Sequence, residues 1–370
     1  MHEATRKSLA LTLTSMVLVA CGASQASNAN HSTAVTIRAQ VTAAGAALSC
    51  RLPVGGFVPP GPKGAPGNSI DADGQPSQKS TGGFLELPGG AYTPTSSSDR
   101  SYLAGAGTWV PVYPQAIAPD ERSYIETRVP VSPGSAPATT TLFFVDVRTG
   151  SRRLLYTAPD GQLAAVLAYT PLGVFVMTFP SGKGPSGLEV IDPATGAHRS
   201  VAGAQATTPN EQLIWMAVSG STAWGMDVTN LQTSAGMPAT RLVKLSLIDG
   251  SVADWYDSPG PFTIAGLDAS GHPIIFVLGQ GAASPTFDLR LVAAPKQSIA
   301  VEPNGGTFLG SRGPGVTDSH GTWFGGPDGS IWLYSSTGSF DKVASIPPQT
   351  GDTGQPYDPH AWRTIAGPCV

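Results

Sequence analysis

Charge is scarce in this chain: only 12% of its 370 residues are Asp, Glu, Lys or Arg, and they form no basic run. Holding a phosphate backbone takes clustered Lys and Arg, so nucleic acid is excluded as an expected partner. Cysteine is scarcer, with three residues, Cys21, Cys50 and Cys369. No CxxC pair, GxSxG, HExxH, Walker loop or GxGxxG placed after a strand occurs, which removes the common signatures of zinc, hydrolase and nucleotide chemistry. No cofactor and no metal are therefore expected. Uninterrupted apolar stretches are short, and none approaches the roughly 20 residues that cross a bilayer as a helix. What is plentiful is hydrophobic residues at 41%, with 45 Gly and 34 Pro. Such a chain can bury a core and is not disordered, but it breaks too often for long helices and suits short strands joined by turns.

The first twenty residues read as an export signal: Arg6 and Lys7, then an apolar stretch from Leu9 to Ala20. It ends Leu18-Val19-Ala20-Cys21, which resembles the lipobox of bacterial lipoproteins. That resemblance implies cleavage before Cys21, a diacylglyceryl group on its thiol, and a protein held on the extracytoplasmic side of a bacterial membrane. Each buried methylene of such an anchor contributes about 0.8 kcal/mol. Loss of residues 1–20 leaves 19 basic and 24 acidic residues, a net charge of −5. Residues 21–48, rich in Ala, Ser, Thr and Asn, read as a flexible tether, with the alternation Val35, Ile37, Ala39, Val41 as a competing strand pattern. Two cysteines then remain in an oxidising compartment, and the expectation is a Cys50–Cys369 disulfide joining the two ends of the domain.

Residues 49–370 read as one all-β domain. Residues 55–83 are a Gly- and Pro-rich loop, and from Phe84 onward strand-length runs alternate with turn residues. Five stretches, 141–158, 187–204, 241–256, 289–302 and 330–346, each read as strand, tight turn, strand. Their turns fall on Thr149-Gly150, Thr195-Gly196, Asp249-Gly250, Lys296 and Thr337-Gly338, spaced 42 to 54 residues apart. An apolar strand pair precedes each, beginning with residues 123–129. Four short strands recurring near every 45 residues is the signature of a β-propeller. An array of β-sandwiches explains the strands but not the period. Residues 84–94 and 362–370 are left over at the ends and predict a composite sixth blade that closes the ring, with the disulfide at the same seam.

Candidate chemistry is thin. Ser339 and Lys342 match SxxK but fall in a hairpin turn; Asp71 and Asp73 begin like a calcium loop, but Pro76 stands where the loop needs glycine. Of the histidines, His320 is the weak catalytic candidate, because it opens a strand facing the expected channel and has Asp318 and Asp328 nearby in sequence. Residues 320–338, HGTWFGGPDGSIWLYSSTG, are similar to a blade of the streptogramin lyase-like propellers. That resemblance implies a propeller fold and, for the enzymes of the family, elimination through a channel histidine and magnesium; only His320 offers a counterpart here. Trp323 and Trp332 are candidates for a ligand platform with Asp318, against the alternative of packing between blades. The functional expectation is a lipid-anchored propeller that binds a protein partner or a small polar ligand, with a lyase or hydrolase as the alternative.

Overall fold

A computed structural model of the chain describes residues 36–57, 82–95, 100–129, 139–180, 186–205, 213–228, 240–278, 287–308, 310–311, 313–326, 328–347 and 362–370. The signal, Cys21, His31, Asp71 and Asp73 lie outside the described residues. All described residues belong to the unit Ala34–Val370.

Antiparallel sheets follow one another along the chain. The third runs Gln162–Thr170, Gly173–Pro180, Gly187–Ile191 and His198–Ser200. The fourth runs Leu213–Ser219, Thr222–Asp227, Thr240–Ser246 and Val252–Ser258. The fifth runs Phe262–Leu267, Pro273–Leu278, Phe287–Ala294 and Gln297–Ala300. Within each, strand order follows sequence order. The sixth repeats the pattern with Val316–Asp318, Gly321–Gly325, Ser330–Ser335 and Phe340–Ser345. First strands pack on the first strands of the next sheet from the third to the sixth. Successive four-stranded meanders, packed through their inner strands, are a β-propeller.

The burial gradient follows from that architecture. Pro273–Leu278 and Gly321–Gly325 are buried almost throughout, whereas His198–Ser200 on an outer edge is exposed at every residue. Strands covered on both faces need continuous apolar sequence, and edge strands do not. The cores are wedges between neighbouring sheets. One of them joins Phe276, Phe308, Phe324, Trp332 and Phe340 between the fifth and sixth sheets, with the Trp332 and Phe340 rings stacked at 5.2 Å.

All five expected hairpins are present with their turns at the anticipated residues. The second sheet holds Ser123–Arg128, Thr141–Asp146 and Arg152–Thr157, and an isolated bridge from Ile117 to Tyr124 stands at its inner side. Ile117 follows a 3-10 turn, Pro114–Ala116.

The first sheet is built from both ends of the domain, as expected, but it is larger. Its order is Ile37–Arg38, Ala91–Pro94, Gly83–Leu87, Cys50–Phe57, Trp362–Ile365. Cys50–Phe57 is the strand that receives the C-terminal one, although the sequence reading began a loop at 55. The reading of residues 21–48 as tether is also corrected over its last part. Ile37–Arg38 pairs with Ala91–Pro94, Gln40–Val41 extends the sixth sheet beside Phe340–Ser345, and Thr42 caps a short helix, Ala43–Ala46. The alternation at Ile37, Ala39 and Val41 is the strand signal: Ala39 is buried in the first core, with Ile37 and Val41 packed against it. The hairpin of Ser101–Leu103 and Thr108–Val110, lying between the first and second sheets in sequence, was not anticipated.

Candidate functional site

His320 sits in the two-residue turn between Val316–Asp318 and Gly321–Gly325, two residues after Asp318. Asp318 Oδ1 accepts from the His320 backbone N–H at 2.7 Å and lies 3.2 Å from His320 Nδ1. Its other oxygen, Oδ2, accepts from Trp323 Nε1 at 2.8 Å and from the Cys369 backbone N–H at 2.8 Å. The carboxylate is almost fully enclosed, with 7% of its side chain exposed. Its lone pairs are thus spent on the turn, on a core tryptophan and on the C-terminus. The fifth sheet carries the same device, since Asp268 accepts from the His272 N–H at 2.7 Å and lies 3.1 Å from its Nδ1. The structure therefore brings His320 and Asp318 together as a turn clasp.

Trp323 and Trp332 are buried and present no ring face to solvent. Trp332 Nε1 donates to Ser330 Oγ at 2.8 Å, and Ser330 Oγ donates to Asp328. The platform expectation gives way to packing. Flat rings fill the wedge between sheets, and each indole N–H finds an acceptor. Among the described residues, no group of three His, Cys, Asp or Glu side chains is placed to hold a metal.

A cavity of about 300 Å³ lies instead among the inner strands, in the channel. The third, fourth and fifth sheets each slip register at the same point of their first strand, at Leu167, Met216 and Ala265. A bulge sets two residues against one and re-aims side chains. Leu167 and Met216 both line the cavity, with Val166, Val218, Ile264 and Leu267 beside them. The 3-10 turn packs on Gln162–Thr170 and contributes Gln115 to the lining. Gln115 Oε1 is buried without a hydrogen-bond partner among the described residues. The hydroxyls that reach the wall are already engaged: Thr317 donates to the Leu267 carbonyl at 2.8 Å, and Tyr169 pairs with Ser123 at 3.3 Å.

The chain is similar to β-propellers of known structure. One is TolB from Acinetobacter baumannii, with a TM-score of 0.47 at 13% identity over 86% of this chain and 67% of that one. Another is an oligogalacturonate lyase in complex with manganese, with a TM-score of 0.44 at 14% identity over 74% and 84%. A third is the β-propeller domain of the trilobed protease from Pyrococcus furiosus, with a TM-score of 0.41 at 10% identity over 60% and 67%. No family model matches the chain, and no curated protein matches it. The fold assignment rests on the sheet order, and these likenesses carry no activity to this chain.

The cavity residues escaped the sequence reading for a physical reason. Gln115 lies in VYPQAIAPDE, which carries no strand pattern, and Leu167 and Met216 differ from their apolar neighbours only by the bulge. Pro114 was the one available signal, since proline fixes φ at the start of a helical turn. The disulfide reading fared better. Cys50 and Cys369 are bonded, with Cα atoms 5.6 Å apart across a separation of 319 residues.

Proposed function

We propose that this chain is a lipid-anchored, extracytoplasmic binding propeller whose channel takes an uncharged portion of a small molecule, carrying an N–H or O–H donor. The anchor reading is supported by the Leu18-Val19-Ala20-Cys21 sequence and by a disulfide, a bond that persists in oxidising compartments. In this reading the ring has six blades, the first closed by strands from both ends, and the membrane is met through the lipid on Cys21.

The observation that carries the binding reading is Gln115. A buried amide oxygen left unpaired costs on the order of 1–3 kcal/mol, and a ligand donor removes that cost. Aliphatic side chains share the wall about equally with polar groups, Gln115, Tyr169, Thr170 and Thr317 among them, and a concave site with apolar walls and a few placed polar groups is the usual form of a small-molecule site. His320 and Asp318, clasped in their turn, do not line this cavity.

Titration of 2-naphthol, a neutral aromatic with one hydroxyl donor, tests this reading. Saturable binding is expected, weakened about tenfold by Gln115→Leu, which deletes the acceptor, and lost in Met216→Trp, which fills the cavity. Absence of saturable binding to the unsubstituted protein, or binding indifferent to both variants, would sink the proposal. The anchor has its own test: metabolic labelling with an alkynyl fatty acid should mark the chain, and Cys21→Ser should abolish the mark.

A further inference from the structure

A second, larger cavity of about 510 Å³ opens between the second and third sheets. Phe144, Tyr169 and Pro193 are among its walls, and it gathers four charged residues, Asp120, Arg122, Asp146 and Arg153. Tyr169 and Thr170 line this cleft and the channel cavity alike. The Tyr169 hydroxyl meets Ser123, the neighbour of Arg122. One tyrosine thus stands between the two spaces.

The four charges are not equally free. Asp146 Oδ1 accepts from the Thr149 N–H and from its hydroxyl, each at 2.7 Å. Asp120 Oδ1 accepts from the Arg122 backbone N–H at 3.0 Å. The Arg153 guanidinium donates to the Pro193 carbonyl and lies 4.5 Å over the Phe144 ring. The Arg122 guanidinium has no partner among the described residues. The two carboxylates keep their charge, so the four groups balance, but Arg122 is the one left uncommitted among the described residues, and a guanidinium fork matches a carboxylate in geometry.

We propose that cleft and channel form one bipartite site, in which Arg122 takes the carboxylate of a ligand whose uncharged, hydroxyl-bearing ring lies in the channel beside Gln115. This rests on the channel reading above. The ligand class is a hydroxylated aromatic or alicyclic carboxylic acid, its ring passing Tyr169.

The test compares 2-naphthol with 6-hydroxy-2-naphthoate, which adds only a carboxylate at the far end of the same ring. The full chain carrying Cys21→Ser is used, so that no detergent competes for the probe. The naphthoate is expected to bind about threefold tighter at low salt, the size of a solvent-exposed ion pair. It should also displace 2-naphthol, and its advantage should vanish in Arg122→Gln while 2-naphthol binding is unchanged. Equal affinities for the two probes, or an advantage that survives Arg122→Gln or disappears only in Arg153→Gln, overturn the bipartite site and leave the channel reading standing. Failure of both probes to bind overturns the channel reading and the bipartite site with it.

Discussion

Asp318 is the side chain on which the most distant parts of the fold depend. Three backbone or indole N–H groups and an imidazole nitrogen converge on its two oxygens, and two of those donors, Trp323 Nε1 and the Cys369 N–H, sit at 2.8 Å. Asp318→Ala leaves both without their acceptor, and the expected loss is about 2–4 kcal/mol of unfolding free energy, measured by urea titration. His320→Ala removes a side chain that is 30% exposed, and the expected loss is under about 1 kcal/mol. Equal losses for the two variants would contradict the clasp. The sequence placed Asp318 and His320 side by side, and their proximity was legible. Their task was not, because an Asp two residues before a His reads alike whether the pair faces a channel or closes a turn. The same holds for Trp323 and Trp332, whose aromatic character announced importance without announcing burial.

The hairpin turns carry the period that made the architecture readable, and they also set a pH response. In the second and third sheets the turn opens with an aspartate, Asp146 and Asp192, that accepts N–H bonds from within the turn. In the fourth, Asp249 takes the Ser251 N–H at 3.0 Å and its hydroxyl at 2.8 Å. Those hydrogen bonds favour the charged form. Bonds from Thr149 hold Asp146 below the usual carboxylate range, the N–H groups of Ala194 and Thr195 do so for Asp192, and the Ser251 N–H first among several donors brings Asp249 down to about 2. A folded-state value below the unfolded one gives stability that is fully present above the unfolded pKa, about 3.9, and is lost as pH falls through the folded values. The melting temperature should therefore hold from neutrality down to about pH 4 and fall between there and about pH 2. The Asp146→Asn, Asp192→Asn, Asp249→Asn triple variant should melt lower at pH 7 and show a shallower fall; an unchanged slope in circular dichroism melts would discount these turns. Strands missed from sequence share a different cause. Cys50–Phe57 contains Pro53, Gly55 and Gly56 and so resembles a loop, yet a Cβ at Gly55 would stand 2.5 Å from Thr364 Oγ1. On the other flank, a Cβ at Gly325 would collide with the Arg363 carbonyl. The glycines make room for a strand that arrives from the far end of the chain, which local pattern does not register.

That late strand decides how the whole molecule holds its ring. Trp362–Ile365 pairs antiparallel with Cys50–Phe57 on one side, and the Arg363 N–H donates to the Gly326 carbonyl at 2.9 Å on the other. Beyond it, Arg51 and Val370 exchange backbone hydrogen bonds at 2.7 and 3.1 Å, and the Cys50–Cys369 bond locks the pair. A propeller without such a seam would part between its first and last sheets, because each sheet is stabilised mainly by its two neighbours. Sheet pairing and disulfide act on different states: the pairing stabilises the folded ring, whereas the crosslink removes freedom from the unfolded chain. For a loop of this length the chain-entropy account gives about 6 kcal/mol, an upper bound for the stability lost on reduction. Cys50→Ala with Cys369→Ala should therefore fold but melt lower, with the loss concentrated at the seam. In hydrogen exchange, residues 50–57 and 362–370 should lose protection first while the third, fourth and fifth sheets keep theirs, since local opening follows the weakest cooperative unit. Uniform loss across all sheets would mean instead that the ring opens as one unit, and that the crosslink stabilises every sheet equally.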